Sequence, residues 1–174
     1  HMRIGVSVVI PTCDRPQMLQ RLLKSITFSS AYDLEVIVVD DASSDEGAYE
    51  RLNAAWREVL PAFHYLRLPS RSGAPAARNA GIRLAQYDWI ALVDDDDEWL
   101  PDKLDQQMRV ASAAPHTGLI YCWTRVVNAQ GVTESVSQPE IEGRATASIL
   151  RTNFILSPSV LIRKDAFAHV GLFD

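Results

Sequence analysis

Five consecutive acids, Asp94, Asp95, Asp96, Asp97 and Glu98, follow directly on the apolar run Trp89-Ile90-Ala91-Leu92-Val93. Carboxylates this close raise one another's pKa, so a bare cluster is electrostatically unfavourable. A divalent cation relieves that repulsion and prefers hard oxygen ligands. The apolar run is short and ends abruptly, which reads as a buried strand. An acidic cluster at the C-terminal edge of a parallel sheet suggests a metal held there for a phosphate-bearing ligand. The plainer alternative is a solvated acidic turn that caps the next helix. The strand-end position favours the metal.

Two further polar clusters have the same placement. Pro11-Thr12-Cys13-Asp14-Arg15 follows the β-branched run Val6-Ser7-Val8-Val9-Ile10, and Asp40-Asp41-Ala42-Ser43-Ser44-Asp45 follows the apolar run 34–39. In an open parallel sheet the C-terminal strand ends share one rim, where ligands bind. Asp14 is also placed to cap the first helix, and Ser43, Ser44 or Asp45 the second. Capping and ligand contact can coexist.

The elements that must carry these clusters are legible from periodicity. Leu19, Leu22, Leu23 and Ile26 mark one helical face, and Tyr49, Leu52, Trp56 and Val59 a second. Residues 63–68 predict a third strand, and the polar loop 69–73 leads into a helix from about Pro75, a residue suited to a first helical turn. Residues 89–93 form the fourth strand, and Pro101 opens a helix with Leu104, Met108 and Ala111 on one side. This alternation predicts the α/β class, a Rossmann-like sandwich with a mainly parallel sheet covered by helices. Beyond residue 115 the pattern changes. Residues 118–127 and 131–136 predict longer strands around a turn at Asn128-Ala129-Gln130-Gly131, and 153–162 returns to the sheet.

The domain reading is therefore a single unit over 3–174, with a nucleotide-binding half at 3–115 and a mixed, partial acceptor half at 116–174. His1-Met2 reads as a cloning remnant. Val160-Leu161-Ile162 predicts a strand and 164–169 a short helix. The apolar Val170-Gly171-Leu172-Phe173-Asp174 is then left without a cover, which predicts a fragment of a longer protein.

Composition narrows the partners. A chain of 174 residues, 47% hydrophobic and 22% charged, suits one soluble domain with a substantial core. The net charge of -5 equals the charge of the acidic run alone, so the acidity is local. No basic tract suggests nucleic acid. No apolar stretch approaches the roughly 20 residues of a membrane span, and no signal peptide is visible. Cys13 and Cys122 lie far apart, as fits reduced thiols in a cytosolic setting. His64, His116 and His169 are scattered and suggest no zinc site.

Four blocks now stand in order: Val6 to Arg15, Val38-Val39-Asp40-Asp41-Ala42-Ser43-Ser44-Asp45, Ala77-Arg78-Asn79-Ala80-Gly81, and Val93 through the acidic run to Trp99-Leu100-Pro101-Asp102. With Ser159-Val160-Leu161-Ile162-Arg163 and Gly171-Leu172-Phe173-Asp174 near the end, they resemble family 2 glycosyltransferases, enzymes of the GT-A fold. The resemblance implies inverting transfer of a sugar from a nucleotide-diphosphate sugar, a UDP-sugar first, to an acceptor hydroxyl with Mn²⁺ or Mg²⁺. Pro11, Thr12 and Asp14 would line the base and ribose pocket, and Asp41 would accept a hydrogen bond from the base. Arg78 would face the diphosphate or brace the acids. Asp94-Asp95-Asp96 overlies the family's Asp-X-Asp motif, with Asp95 assigned to nucleotide binding. Asp96 is the first choice as metal ligand, and Asp94 faces ribose or a metal-bound water.

The same resemblance implies a carbohydrate or lipid-linked acceptor, a role in cell-surface polysaccharide biosynthesis, and a cytoplasmic location, at the inner membrane face for the full-length protein. It places the general base in an acidic motif beyond Asp174, so none is expected in this chain, which would bind donor and metal better than it transfers sugar. One departure concerns Cys13, which stands where the family usually has an aromatic. A thiol cannot stack on a base, so weaker base affinity, a substitute side chain or a different nucleotide is expected. Cys13 as nucleophile is disfavoured, because no histidine lies nearby in sequence to activate it. A nucleotidyltransferase would carry a glycine-rich basic loop after the first strand, which 11–15 is not. A phosphatase or receiver domain would need its aspartate after the first or third strand. A non-catalytic nucleotide-sugar-binding module of a larger protein is the remaining alternative.

Overall fold

A computed structural model describes residues 4–60 and 62–174, so the expected cloning remnant His1-Met2 lies outside the described residues. The first β-branched run forms β1 (Gly5–Thr12), buried along its whole length. Helix α1 (Pro16–Ser25) begins on Pro16, whose missing N–H would have gone unpaired in a first turn anyway, and buries Leu19, Leu22 and Leu23. Then follow β2 (Asp33–Asp40), α2 (Glu46–Val59), β3 (Phe63–Arg67), α3 (Ala74–Leu84), β4 (Trp89–Leu92) and α4 (Lys103–Ala113).

The first four strands are mutually parallel in the order β3-β2-β1-β4. Successive side chains on a strand point to opposite faces, and this sheet buries both. Val6, Val8, Val36 and Val38 meet α1, α2 and α4 on one side. Val9, Ile37 and Val39 meet Ala77 and Ile82 of α3 on the other. The chain winds outward from β1 to β3 and then crosses back to place β4 on the far side of β1. Such a reversal opens a crevice beyond the strand ends.

The C-terminal part differs from the sequence expectation. Residues 118–127 do not form one strand but two: β5 (Leu119–Ile120) and β6 (Thr124–Val127). β5 pairs only with β8 (Leu161–Arg163), whose three residues leave the ladder nothing to extend along. β6 instead pairs with β7 (Thr133–Ser137) in a separate hairpin. A short helix α5 (Thr146–Arg151) and a single 3₁₀ turn (Ser157–Ser159) precede β8, which returns antiparallel to β4 as expected for 153–162. The last element is α6 (Lys164–Val170). Leu172 and Phe167 pack against the second core, so the apolar terminal segment is partly covered by the chain itself.

Two smaller corrections concern helices. Val59, expected on the buried face of α2, is 65% exposed, because the 14-residue helix outruns the five-residue β3 beside it. Pro101 lies in a turn before α4 rather than opening it; Asp102, at φ 65°, redirects the chain first.

Helix α3 approaches β1 closely because Gly81 has no side chain. A Cβ there would stand 2.5 Å from Val9 Cγ1 and 3.3 Å from Val39 Cγ2, both at the sheet. Ala is intrinsically the better helix former by about 1 kcal/mol, but overpacking a filled core costs typically about 1–3 kcal/mol. Gly81→Ala should therefore lower stability in urea unfolding and weaken nucleotide binding with it, since α3 carries Arg78. A variant as stable as the parent would show that the helix can slide at no cost.

Candidate active site

The three polar clusters meet on one rim. A cleft of about 230 Å³ is lined by Pro11, Thr12 and Cys13, by Asp41, by Ala77 and Arg78, and by Asp94 and Asp96. A depression of about 300 Å³ between α1 and α2 is larger, but its lining (Gln17, Gln20, Arg51 and Trp56 among it) offers no carboxylate. Charge and chemistry therefore favour the smaller cleft.

The walls are cross-braced from below. The Thr12 hydroxyl donates to Asp95 Oδ2 at 2.7 Å, and Asp95 is fully buried. Thr12 has one proton to give, so Tyr49 Oη, 3.0 Å away, donates to it in turn and accepts the backbone N–H of Arg15 at 3.0 Å. This relay joins the end of β1, helix α2 and the acidic run. Asp40 is a second buried brace. It accepts from Ser43 Oγ at 2.5 Å, Ser43 N at 3.0 Å, and Tyr65 Oη and Arg67 Nη1 at 2.7 Å each. Burial and the hydrogen bond to Asp40 push the Tyr65 phenol well above its usual range.

Asp41 faces the loop between β3 and α3. Its two oxygens accept the backbone N–H groups of Ser72 at 2.7 Å and Gly73 at 2.9 Å. Each oxygen keeps a second lone pair for a ligand. Asp14 does not cap α1, whose N-cap is Arg15 without a side-chain bond. At φ 54°, it turns toward the second cluster instead. It accepts Ser44 N at 2.6 Å and pairs with Arg71 of the loop between β3 and α3. The Ser44 amide and Arg71 together hold its carboxyl below the usual range. The other capping expectation is met by Asp45, which accepts Ala48 N at 3.0 Å at the start of α2.

Arginines already offset most of the acidic run's repulsion. Arg78 Nη2 lies 2.5 Å from Asp94, Arg15 lies 2.6 Å from Asp95 and 2.8 Å from Asp96, and Arg21 pairs with Glu98. The protein thus supplies cations of its own against the repulsion that a divalent ion would otherwise relieve. Burial pushes the Asp95 carboxyl up, against the Thr12 bond and the Arg15 charge. Burial, then the Asp94 charge, push Asp97 up to about 6. The Cys13 thiol donates to Asp41 O at 3.5 Å, and burial raises its pKa, which lowers the share of reactive thiolate.

Of the residues singled out in the sequence, Pro11, Thr12, Asp41, Arg78, Asp94 and Asp96 line the cleft. Asp14 and Asp95 do not; they brace its walls. Sequence reasoning missed Arg15, whose long side chain reaches back to the acidic run, and Tyr49, which looked like one more apolar position on α2. It also missed Asn79, which accepts the N–H of Phe173 at 2.9 Å and donates to its carbonyl at 2.7 Å. Phe173 in turn lies under the Arg78 guanidinium, 5.9 Å from ring centroid to Cζ. Arg15 stands in a strand-end cluster, but nothing in that position signals its reach to the acidic run, and Tyr49 and Asn79 stand in none.

With this geometry in place, the comparisons with known proteins are decisive for the family. The description "Glycosyl transferase family 2" matches residues 7–171. The chain belongs to that family. An uncharacterized glycosyltransferase of Haemophilus influenzae is 30% identical over 169 residues, which cover 95% of this chain and 55% of that protein. The crystal structure of residues 1–349 of S. aureus TarS in complex with UDP-GlcNAc matches 95% of this chain and 47% of its own, at a TM-score of 0.76 and 24% identity. The mannosyltransferase PcManGT from Pyrobaculum calidifontis, solved with GDP-Man and Mn²⁺, matches 99% of this chain and 48% of its own, at a TM-score of 0.71 and 22% identity. The chain thus spans about half the length of these relatives. This member of family 2 has an α/β fold of the GT-A kind, like that of the solved TarS structure.

Proposed function

We propose that this family 2 glycosyltransferase binds a nucleotide-diphosphate sugar, a UDP-sugar first, together with Mn²⁺ or Mg²⁺, and serves inverting transfer to a hydroxyl of a carbohydrate or lipid-linked acceptor. One observation carries the reading: Asp41, suited to a base N–H, and Asp96, suited to a metal, line the same cleft with Arg78 between the two chemistries in charge. The solved relatives hold UDP-GlcNAc in one case and GDP-Man in another, so the fold alone does not choose the base.

The donor set fits a divalent ion. Among the described residues no three His, Cys, Asp or Glu side chains stand ready to hold a metal by themselves. That suits an ion of the Mg²⁺ type, which takes one or two carboxylates and fills its remaining positions with phosphate oxygens and water. Asp96 would hold it, with Asp94 reaching it directly or through water. When bound, the ion offsets the negative charge that grows on the leaving diphosphate. Arg78 adds a fixed cation beside the same group, and Thr12 and Pro11 close the floor of the nucleotide pocket. Asp14 orders the nucleotide-facing turn through Ser44 and Arg71. No carboxylate of this chain is assigned as the base that deprotonates the acceptor.

Calorimetric titration with UDP, GDP and dTDP, each with and without Mn²⁺, tests the reading. UDP should bind most tightly. Asp41→Ala should weaken UDP by roughly tenfold or more, as expected when a hydrogen-bonded group loses a charged partner worth about 1.5–3 kcal/mol, and should weaken inorganic pyrophosphate far less. Equal loss for both ligands would contradict the place of Asp41 at the base.

A further inference from the structure

Arg15 forms the most specific contact of the acidic run. Its guanidinium spans two carboxylates, with Nη2 2.6 Å from Asp95 Oδ1 and Nη1 2.8 Å from Asp96 Oδ2. The two partners differ in kind. Asp95 is fully buried and tied to Thr12, whereas the Asp96 side chain is 47% exposed and lines the cleft. Among the described residues Asp95 Oδ1 has no well-aligned hydrogen-bond donor, and the Arg15 guanidinium lies 2.6 Å from it. The backbone of Arg15 is fixed by Tyr49 Oη and by Leu19 N, leaving only its side chain to move.

We propose that Arg15 is a resident counter-cation that occupies Asp96 until metal and diphosphate arrive together, and so couples the binding of the two. This rests on the donor and metal reading above. A divalent ion arriving alone must take Asp96 from Arg15 and leaves the guanidinium half paired beside a new positive charge. An ion arriving with a diphosphate brings the anion that the released fork of N–H donors matches best. Arg15 therefore opposes the metal by itself and favours the metal–nucleotide pair. By linkage, each ligand then strengthens the other by the same factor. Arg78 differs in spanning one carboxylate and not two: among the described residues its ion pair is with Asp94, and it rests on Phe173.

The test is Mn²⁺ binding to the 174-residue chain, read from the free-ion EPR signal with and without UDP. Arg15→Met should bind Mn²⁺ alone about tenfold more tightly than the parent, within the usual range of coupling factors. The strengthening by UDP should shrink to match. Arg15→Lys, which keeps one charge but cannot span both carboxylates, should fall between them and decides the matter if the methionine variant melts early. Arg21→Met removes a nearby charge that pairs with Glu98 and should change Mn²⁺ affinity by less than about twofold, as a screened surface charge does. Mn²⁺ uptake that ignores Arg15, or that Arg21→Met strengthens equally, overturns the exchange. No uptake by any chain, even with UDP, overturns the metal reading beneath it.

Discussion

Asp96→Ala should abolish the gain in UDP affinity that Mn²⁺ provides, at least tenfold or about 1.4 kcal/mol, while UDP binding in EDTA is not weakened, since the substitution only frees Arg15. The Asp96 side chain is half exposed and, among the described residues, is held by the side chain of Arg15, so its loss does not strand a buried group. Arg15 keeps its second partner, Asp95. The fold should therefore survive, and the loss should appear in the metal-dependent part of binding only. Calorimetric titration in Mn²⁺ and in EDTA separates the two parts. If parent and variant gain equally from Mn²⁺, the ion sits elsewhere. Asp94→Ala makes an instructive contrast, because it also frees Arg78, the cation assigned to the diphosphate.

The largest effect on stability is expected at Asp40, which no ligand assignment uses. Asp40→Ala should cost about 1–3 kcal/mol, the usual penalty for leaving buried hydrogen-bond donors without their acceptor. The carboxylate is fully buried at the end of β2 and satisfies the Ser43 amide and hydroxyl, the Tyr65 phenol and the Arg67 guanidinium. Removing it leaves Arg67 facing Glu46 at 3.8 Å and frees the Ser43 hydroxyl, which also receives the Asp14 N–H at 2.9 Å. The turn that carries Asp41 would loosen with it. Urea unfolding should show the midpoint falling sharply with little change in slope. A loss below about 1 kcal/mol would mean that the turn holds its shape without this hub.

These two neighbours, Asp40 and Asp41, show where sequence reasoning reached and where it stopped. The strand-end position of both was legible, because an apolar β-branched run ending in acids can hardly lie elsewhere in a parallel sheet. Which carboxylate points into the cleft was not, since it depends on the pleat: Asp40 turns under the sheet toward Tyr65, and Asp41 turns up to the loop amides of Ser72 and Gly73. The acidic run behaves the same way. Asp95 is fully buried while its neighbours Asp94 and Asp96 line the cleft. Asp14 looked like a cap for its own helix but bonds across to Ser44, because its positive φ carries the side chain away from α1.

The class of fold, the order of strands and helices through α4, and the three turns that form the site were legible in the chain alone, because they follow from local periodicity and from breaks between apolar and polar runs. The family blocks added the chemistry. Which charges compensate one another emerged from the folded arrangement. Arg15 lies about eighty positions from Asp96 along the chain, and Asn79 lies 94 from Phe173. No local pattern encodes such pairs, since long flexible side chains find partners only after the sheet has brought distant turns to one edge. The split of 118–127 into β5 and β6 has the same origin: whether an extended segment becomes one strand or two depends on how long a partner strand it meets, and β8 offers three residues.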